Sequence, residues 1–405
     1  MSLLIGARIV LGVTGGIAAY KAADLASSLV QAGALVDVVL TAGAQDFVQP
    51  LTFNAITRRP VHTDLPAPWT EEAAGHVTLA AVADLLLVAP ATANSIARLA
   101  LGFADDLLGA VALATAAPML IAPAMEHGMY HHPATQAHLA TLLARGAVMV
   151  GPESGRLASG ALGDGRLAPT AAVVGAARAL LGRGGPLTGT HVVVTAGGTH
   201  EPIDPVRYVG NRSSGAMGFA LAQAAIDHGA TVTLIAGPTH LTAPFGAKTV
   251  GVETTSQMLA AVEAAVATAD ALIMAAAVAD FRPAEANRTK IKKRPGNAGL
   301  DLALVRNPDI LASVGRPGLL KIGFAAETEN LVINAEAKLR AKGLAMIVAN
   351  DAVATIGSST VAAVILRPDR PPESLPEMPK SDLARVIVGR LASLLADAKR
   401  GGNGP

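Results

Sequence analysis

The chain has 405 residues, enough for two or three domains at roughly 150 residues each. Hydrophobic residues make up 51% and charged ones 16%, which excludes disorder; 32 basic against 31 acidic side chains exclude a bulk electrostatic hold on nucleic acid or an anionic membrane. Cysteine is absent and aromatics are 3%, which excludes disulfides, thiolate metal sites and a cysteine catalyst and leaves Ala, Val, Leu and Ile to build the cores, in keeping with buried parallel strands in a cytoplasmic protein.

Short β-branched runs alternate with helical stretches, which predicts an α/β fold with mainly parallel sheets. Arg8–Val13 reads as a first strand, Thr14–Gly16 as a tight turn and Ile17–Gln31 as a helix. Leu35–Leu40, Leu85–Val88, Met119–Ala122 and Ala147–Val150 continue the sheet, with helices expected over Asn94–Leu101, Asp105–Thr115 and Pro133–Ala144. The apolar start is interrupted by Arg8 and lacks a cleavage site, so no signal peptide is expected. Leu107–Met125 runs 19 residues without a charge, yet Pro118 and Pro123 split it; a buried helix followed by a buried strand is expected there, not a membrane span.

Gly182–Gly189 is the clearest linker and divides 1–186 from 187–405. The strand His191–Thr195 and the glycine turn Ala196–Thr199 restart the rhythm. Strands follow near Thr231–Ala236, Ala271–Met274, Lys321–Ala325 and Met346–Ala349, and helices near Ser214–His228, Gln257–Ala267 and Asn330–Ala341. Arg400–Pro405 reads as a frayed tail.

Thr14-Gly15-Gly16 leaves backbone N–H groups at a helix start, which suits a phosphate and equally suits a tight turn. Thr41 and the run Pro90-Ala91-Thr92-Ala93-Asn94 put small polar groups at two further strand ends, so three ends converge on the edge where open α/β sheets bind ligands. His76 is either a structural or a functional histidine. In the second half, Thr195–Thr199, the polar run Glu201–Tyr208 and Asn211-Arg212-Ser213-Ser214-Gly215 suit capping and anion binding alike. Lysine is scarce, ten in all, yet Lys290, Lys292 and Lys293 cluster with Arg288 and Arg294. No aromatics interleave this run and the chain is near neutral, so a polyanionic small molecule is the better target, met by a loop that closes on phosphates. Lys338 and Lys342, one helical turn apart, would meet the same triphosphate. A dinucleotide-dependent oxidoreductase would need Gly-x-Gly-x-x-Gly, absent from both turns, and an acidic residue where Thr41 stands.

Thr14–Lys21, the His76 segment, Ala89–Asn94, Gly102–Leu108 and Pro123-Ala124-Met125-x-x-x-Met129 together resemble the flavin-dependent cysteine decarboxylases, and more narrowly the decarboxylase half of the bifunctional coenzyme A biosynthesis flavoproteins. The resemblance implies a flavodoxin-like domain that binds FMN at a subunit interface, through Thr14, Gly15, Gly16, Thr41, Ala93 and Asn94. It implies that His76 serves in oxidation of the substrate thiol, after which CO2 leaves and the enethiol is reduced. Two positions depart from the family: Glu126 stands where it has asparagine, and Ser159 where it has a cysteine that delivers a proton. A thiol titrates near roughly 8.5 and an alkyl hydroxyl is far less acidic, so Ser159 is a poor acid. An ionised Glu126 would repel the substrate carboxylate by about 4 kcal/mol at 4 Å and effective dielectric 20, whereas a protonated, buried Glu126 would bond it and supply the missing proton. Either decarboxylation is retained on these terms, or the first domain holds FMN and serves assembly only.

Over residues 190–370, Thr195–Thr199, Asp204–Arg207, Asn211–Gly215, Met217-Gly218, Ala277–Asp280, Lys290–Lys293, Asn307–Leu311 and Gly323–Thr328 stand in the order found in the phosphopantothenate–cysteine ligase half of the same family. This implies a Rossmann-like, nucleotide-binding domain in which the 4′-phosphopantothenate carboxylate attacks CTP and L-cysteine displaces CMP, with Mg2+ on the triphosphate. By the same resemblance Asn211 stabilises the acyl-cytidylate and Lys290 assists activation. Ala275, Ala276, Asp280, Pro308, Asp309, Ile310, Leu311, Phe324, Lys338 and Lys342 would hold the nucleotide. The expected whole is a homo-oligomer of two three-layer α/β domains acting on small molecules.

Overall fold

The computed structural model describes residues 3–64, 75–292, 299–355, 357–368 and 370–401. Lys293, Arg294 and the end of the expected tail lie outside them. The chain divides into two compact units, Met1–Gly182 and Arg183–Pro405.

In the first unit the strands Arg8–Val13, Leu35–Leu40 and Leu85–Ala91 are almost continuously apolar and buried, because a parallel strand is covered on both faces. Six parallel strands run in the order Val61–His62, Leu35–Leu40, Arg8–Val13, Leu85–Ala91, Met119–Pro123, Val148–Met149. On one face Val10, Val39, Leu86, Val88 and Ile121 pack against Leu79, Ile96, Leu99, Val111, Leu139 and Leu142 of the covering helices. Helices Lys21–Gln31, Pro50–Thr57 and Thr170–Leu181 cover the other, giving the three layers of a flavodoxin-like domain. The uncharged run resolves into the helix Leu107–Ala114 and the strand Met119–Pro123. Among the described residues no helix is long and apolar enough to cross a membrane.

The second sheet has six parallel strands, in the order Lys248–Gly251, Thr231–Ala236, His191–Ala196, Ala271–Met274, Leu320–Glu327, Met346–Asp351, and then Thr360–Leu366 and Glu373–Pro379, which pair antiparallel. Val193, Ile235, Leu272 and Ile347 pack against Met258 and Val262 of the helix Thr255–Val266 and Ala335 and Leu339 of Leu331–Ala341. Helices Ala216–Asp227 and Lys380–Gly401 pack on each other and cover the opposite face.

Several elements differ from the sequence reading. The expected helix Ile17–Gln31 opens as a 3-10 turn, Ile17–Tyr20, before the α-helix Lys21–Gln31, since the chain leaves Gly16 fully extended. The helix expected from Asp105 starts at Leu107 because the Asp106 carboxylate caps it, accepting the Gly109 N–H at 2.7 Å. The hairpin Glu153–Arg156 with Leu162–Arg166 was not expected, nor were the two C-terminal strands, nor the helices Thr170–Leu181 and Lys380–Gly401.

Candidate functional sites

In parallel sheets all strand C-termini share an edge, and in the first unit that edge opens into a cleft of about 1090 Å³. Gly15, Gly16, Thr41, Asn94, Met125 and Glu126 line it, with Arg156–Ala158 and Gly165–Leu167 of the hairpin. Gly15 is required: a Cβ there would lie 2.6 Å from the backbone carbon of Gly43, so the turn after the first strand touches the short helix Ala42–Gln45 backbone to backbone on the cleft wall.

Thr14 is not on that wall. It is fully buried, its hydroxyl donates to Pro90 O at 2.7 Å and its oxygen accepts the Thr92 N–H at 3.1 Å, so it braces two strand ends. Thr92 in turn caps the helix Ala93–Leu101 by accepting the Ser95 N–H, with Asn94 on the wall and Ala93, the first helical residue, not lining it. His76 is also off the wall, on the helix Gly75–Val82, and its Nδ1 is buried with no hydrogen-bond partner among the described residues.

The two departures from the family pattern meet. Ser159 Oγ, at the hairpin turn just beyond the wall, donates to Glu126 Oε2 at 2.9 Å. Glu126 is half-buried at the start of the helix His127–His131, so the deep burial expected of it is not found. Sequence reasoning missed the cleft's own charges: Arg98 pairs with Asp105 and, at 3.6 Å, with Asp106. Asp105 and Asp106 fall in the Gly102–Leu108 segment and at the start of an expected helix, but nothing in the sequence paired them with Arg98.

The second cleft, about 680 Å³, lies within the second unit and is lined by Asn211–Met217, Met274–Asp280, Asn307–Leu311, Phe324 and Lys342. Its floor is a buried polar lattice. Thr195 Oγ1 accepts the Ala276 N–H at 3.1 Å, Thr199 Oγ1 accepts the Ala279 N–H at 2.9 Å, and Asn307 Nδ2 donates to Ala279 O at 2.8 Å. Asn211 is fixed on the wall by its Nδ2 donating to Val278 O at 2.8 Å. Burial pushes the Asp309 carboxyl up, but Lys342, 2.7 Å away, and the Ala312 N–H overcome this and hold it below the usual carboxylate range. Lys338 Nζ is 2.6 Å from Glu327 Oε1, a bond that lowers the Glu327 pKa, and of the two lysines Lys342 is the one that lines the cleft. Lys380, from the unexpected C-terminal helix, is on it, its pKa lowered by burial.

Lys290 is exposed and off the wall, yet its loop is anchored. The buried Asp204 carboxylate accepts the Ile291 N–H at 3.1 Å, and Arg207, paired with Asp204 at 2.6 Å, donates to Ile291 O at 2.7 Å. Burial alone would raise the Asp204 carboxyl; the Val206 and Ile291 amides and the Arg207 guanidinium bring it down to about 2.

Together these features define a two-domain α/β protein with a strand-end cleft in each half. Residues 3–182 match the family model described as Flavoprotein, and residues 187–395 match the DNA/pantothenate metabolism flavoprotein C-terminal domain. The Vibrio cholerae Coenzyme A biosynthesis bifunctional protein CoaBC is 45% identical over 397 residues, 96% of this chain and 98% of that protein. Its Bacillus subtilis counterpart is 43% identical over 395 residues, 96% and 97% of the two chains. The crystal structure of the C-terminal domain of a Coenzyme A biosynthesis bifunctional protein CoaBC aligns with 39% identity and TM-score 0.46, covering 52% of this chain and 98% of that one. The chain belongs to the family of bifunctional coenzyme A biosynthesis proteins.

Proposed function

We propose that the second cleft joins 4′-phosphopantothenate to L-cysteine using CTP, and that the first decarboxylates the resulting amide with FMN. The observation that most supports this is the pairing of a glycine-walled cleft in one unit with a polar, lysine-bearing cleft in the other, along a chain alike over its length to bifunctional relatives.

In the second cleft the 4′-phosphopantothenate carboxylate attacks the α-phosphorus of CTP, pyrophosphate leaves, and the cysteine amine then displaces CMP. Asn211, held by Val278, offers an uncharged amide beside the acyl-cytidylate. Lys342 and Lys380 meet the phosphates, and Lys290 and Lys292 join them from the anchored loop. Asp280, Ala275, Ala276, Pro308–Leu311 and Phe324 shape the nucleotide pocket. Asp309 is engaged by Lys342, so Mg2+ enters with the triphosphate as part of the substrate. Strand order reverses between His191–Ala196 and Ala271–Met274, beside this cleft, in keeping with a Rossmann-like nucleotide domain.

The first cleft suits a flat flavin, since the Gly15–Gly43 approach leaves no room for a side chain and the Ala93–Leu101 helix begins at its wall. Bound FMN supplies two-electron chemistry at the thiol-bearing carbon of the substrate. Gly15, Gly16, Thr41 and Asn94 hold and orient the cofactor, and the hairpin shields the substrate from water. The Ser159 hydroxyl donates to Glu126, and Glu126, once it has taken up a proton, would be the acid for the enethiol. The place of His76, off the wall, suits a cleft completed by a neighbouring copy in a homo-oligomer. A cytoplasmic setting is in keeping with a chain that contains no cysteine.

A second reading, a ligase with a non-catalytic flavin domain, is favoured by Glu126, whose charge would oppose the substrate carboxylate, and by Ser159, a poor acid where the family has cysteine. The test of the ligase assignment is pyrophosphate release from CTP, expected only with both 4′-phosphopantothenate and Mg2+ present. Release without the acid, or none with it, contradicts the assignment.

A further inference from the structure

We propose that His127, His131 and Asp164 form a binding site for one divalent transition-metal ion of the zinc class, which ties the hairpin Glu153–Arg156/Leu162–Arg166 to the helix His127–His131. The two histidines are four residues apart on that helix, with ring centroids 4.4 Å apart, and the carboxylate comes from the facing hairpin strand. One donor atom from each residue lies within 4.8 Å of the others. His131 Nε2 is 3.0 Å from Asp164 Oδ2, near the roughly 3.3 Å edge of a tetrahedron whose ligands stand about 2.0–2.1 Å from zinc. The lone pair of His127 Nδ1 already points at the hairpin, accepting the Asp164 N–H at 3.1 Å, and an ion would take it over.

The hairpin strand is shaped for this approach. A Cβ at Gly163 would lie 2.7 Å from His127 Nδ1, and one at Gly165 would lie 2.1 Å from Met125 O, so glycines on both sides of Asp164 let the strand lie flush on the helix start. Asp164 is oriented from behind by the Ser154 hydroxyl on its other oxygen. The His131 and Asp164 side chains are 49% and 39% exposed, which leaves a path for a hydrated ion and a fourth position for water. Two imidazoles and one carboxylate favour Zn2+, Co2+ or Ni2+ over Mg2+ or Ca2+.

The ion would sit one residue from Glu126 and on the hairpin whose turn carries Ser159, and so would stiffen that hairpin at the cleft edge. The site does not depend on whether decarboxylation occurs. The experiment is calorimetric titration of chelator-treated full-length protein with Zn2+, with Co2+ absorption as a second probe. One ion per chain is expected at micromolar or tighter affinity, weakened about tenfold or more in His131→Ala and in Asp164→Asn but not in the control His240→Ala. Zn2+ should also slow tryptic cleavage at Arg156 and Arg166 in the wild type and not in His131→Ala. No tight ion, or one that binds both site variants as tightly as the wild type, overturns the proposal.

Discussion

Glu126 and Ser159 are the residues on which the first cleft's chemistry turns, and their mutual hydrogen bond makes them one unit. Glu126→Gln keeps a partner for the Ser159 hydroxyl while removing an acid. Decarboxylation should continue, reduction should fall about tenfold or more, and the enethiol should accumulate; unchanged full turnover would exclude Glu126 as the proton source. In the second unit Asp204 gives a prediction that does not involve turnover. Its carboxyl lies at about 2 in the fold against an ordinary 3.8, so its charge favours the folded state at every pH above the ordinary value. That contribution is lost as pH falls through the window between the two values. Asp204→Asn should therefore be the less stable protein at neutral pH, and its thermal stability should fall less steeply than that of the wild type between roughly pH 4 and pH 2. Parallel acid limbs in the two proteins would show that the clamp on Ile291 contributes nothing.

Between elements, the strand-end turns were legible because glycine, threonine and proline after apolar runs have few structural alternatives. Gly15, Thr41 and Asn94 reach the cleft as expected, whereas Thr14 does not, since only the fold shows that its hydroxyl bonds Pro90. The hairpin was hidden because Glu153–Arg156 and Leu162–Arg166 are polar and glycine-rich, with no alternation for a sequence reading to find. The Lys338–Glu327 pair was hidden for a related reason: two lysines one turn apart look equivalent until the partner of each is known. The close approach of Gly15 to Gly43 yields a test at this scale. Gly15→Ala pushes a methyl group into the Gly43 backbone and should lower FMN affinity about tenfold or more, with helix content by circular dichroism retained. Undiminished FMN in the purified variant would remove that wall from the flavin site.

Across the whole chain, the two units each carry their own core and their own cleft, so the second should act by itself. A fragment starting at Arg183 should ligate with CTP and Mg2+ while releasing no CO2, and Asn211→Asp in it should block amide formation by placing a carboxylate beside anionic oxygens. A folded but inactive fragment would mean that the ligase needs the first unit. The claim that one chain performs both steps is tested most directly by the mass of the product. Purified full-length protein carrying FMN is given 4′-phosphopantothenate, L-cysteine, CTP and Mg2+, and the products are followed by mass spectrometry. The amide should appear first and then give way to a product lighter by one CO2; an amide that accumulates without ever losing CO2 would contradict the bifunctional account and leave a ligase fused to a silent flavin domain.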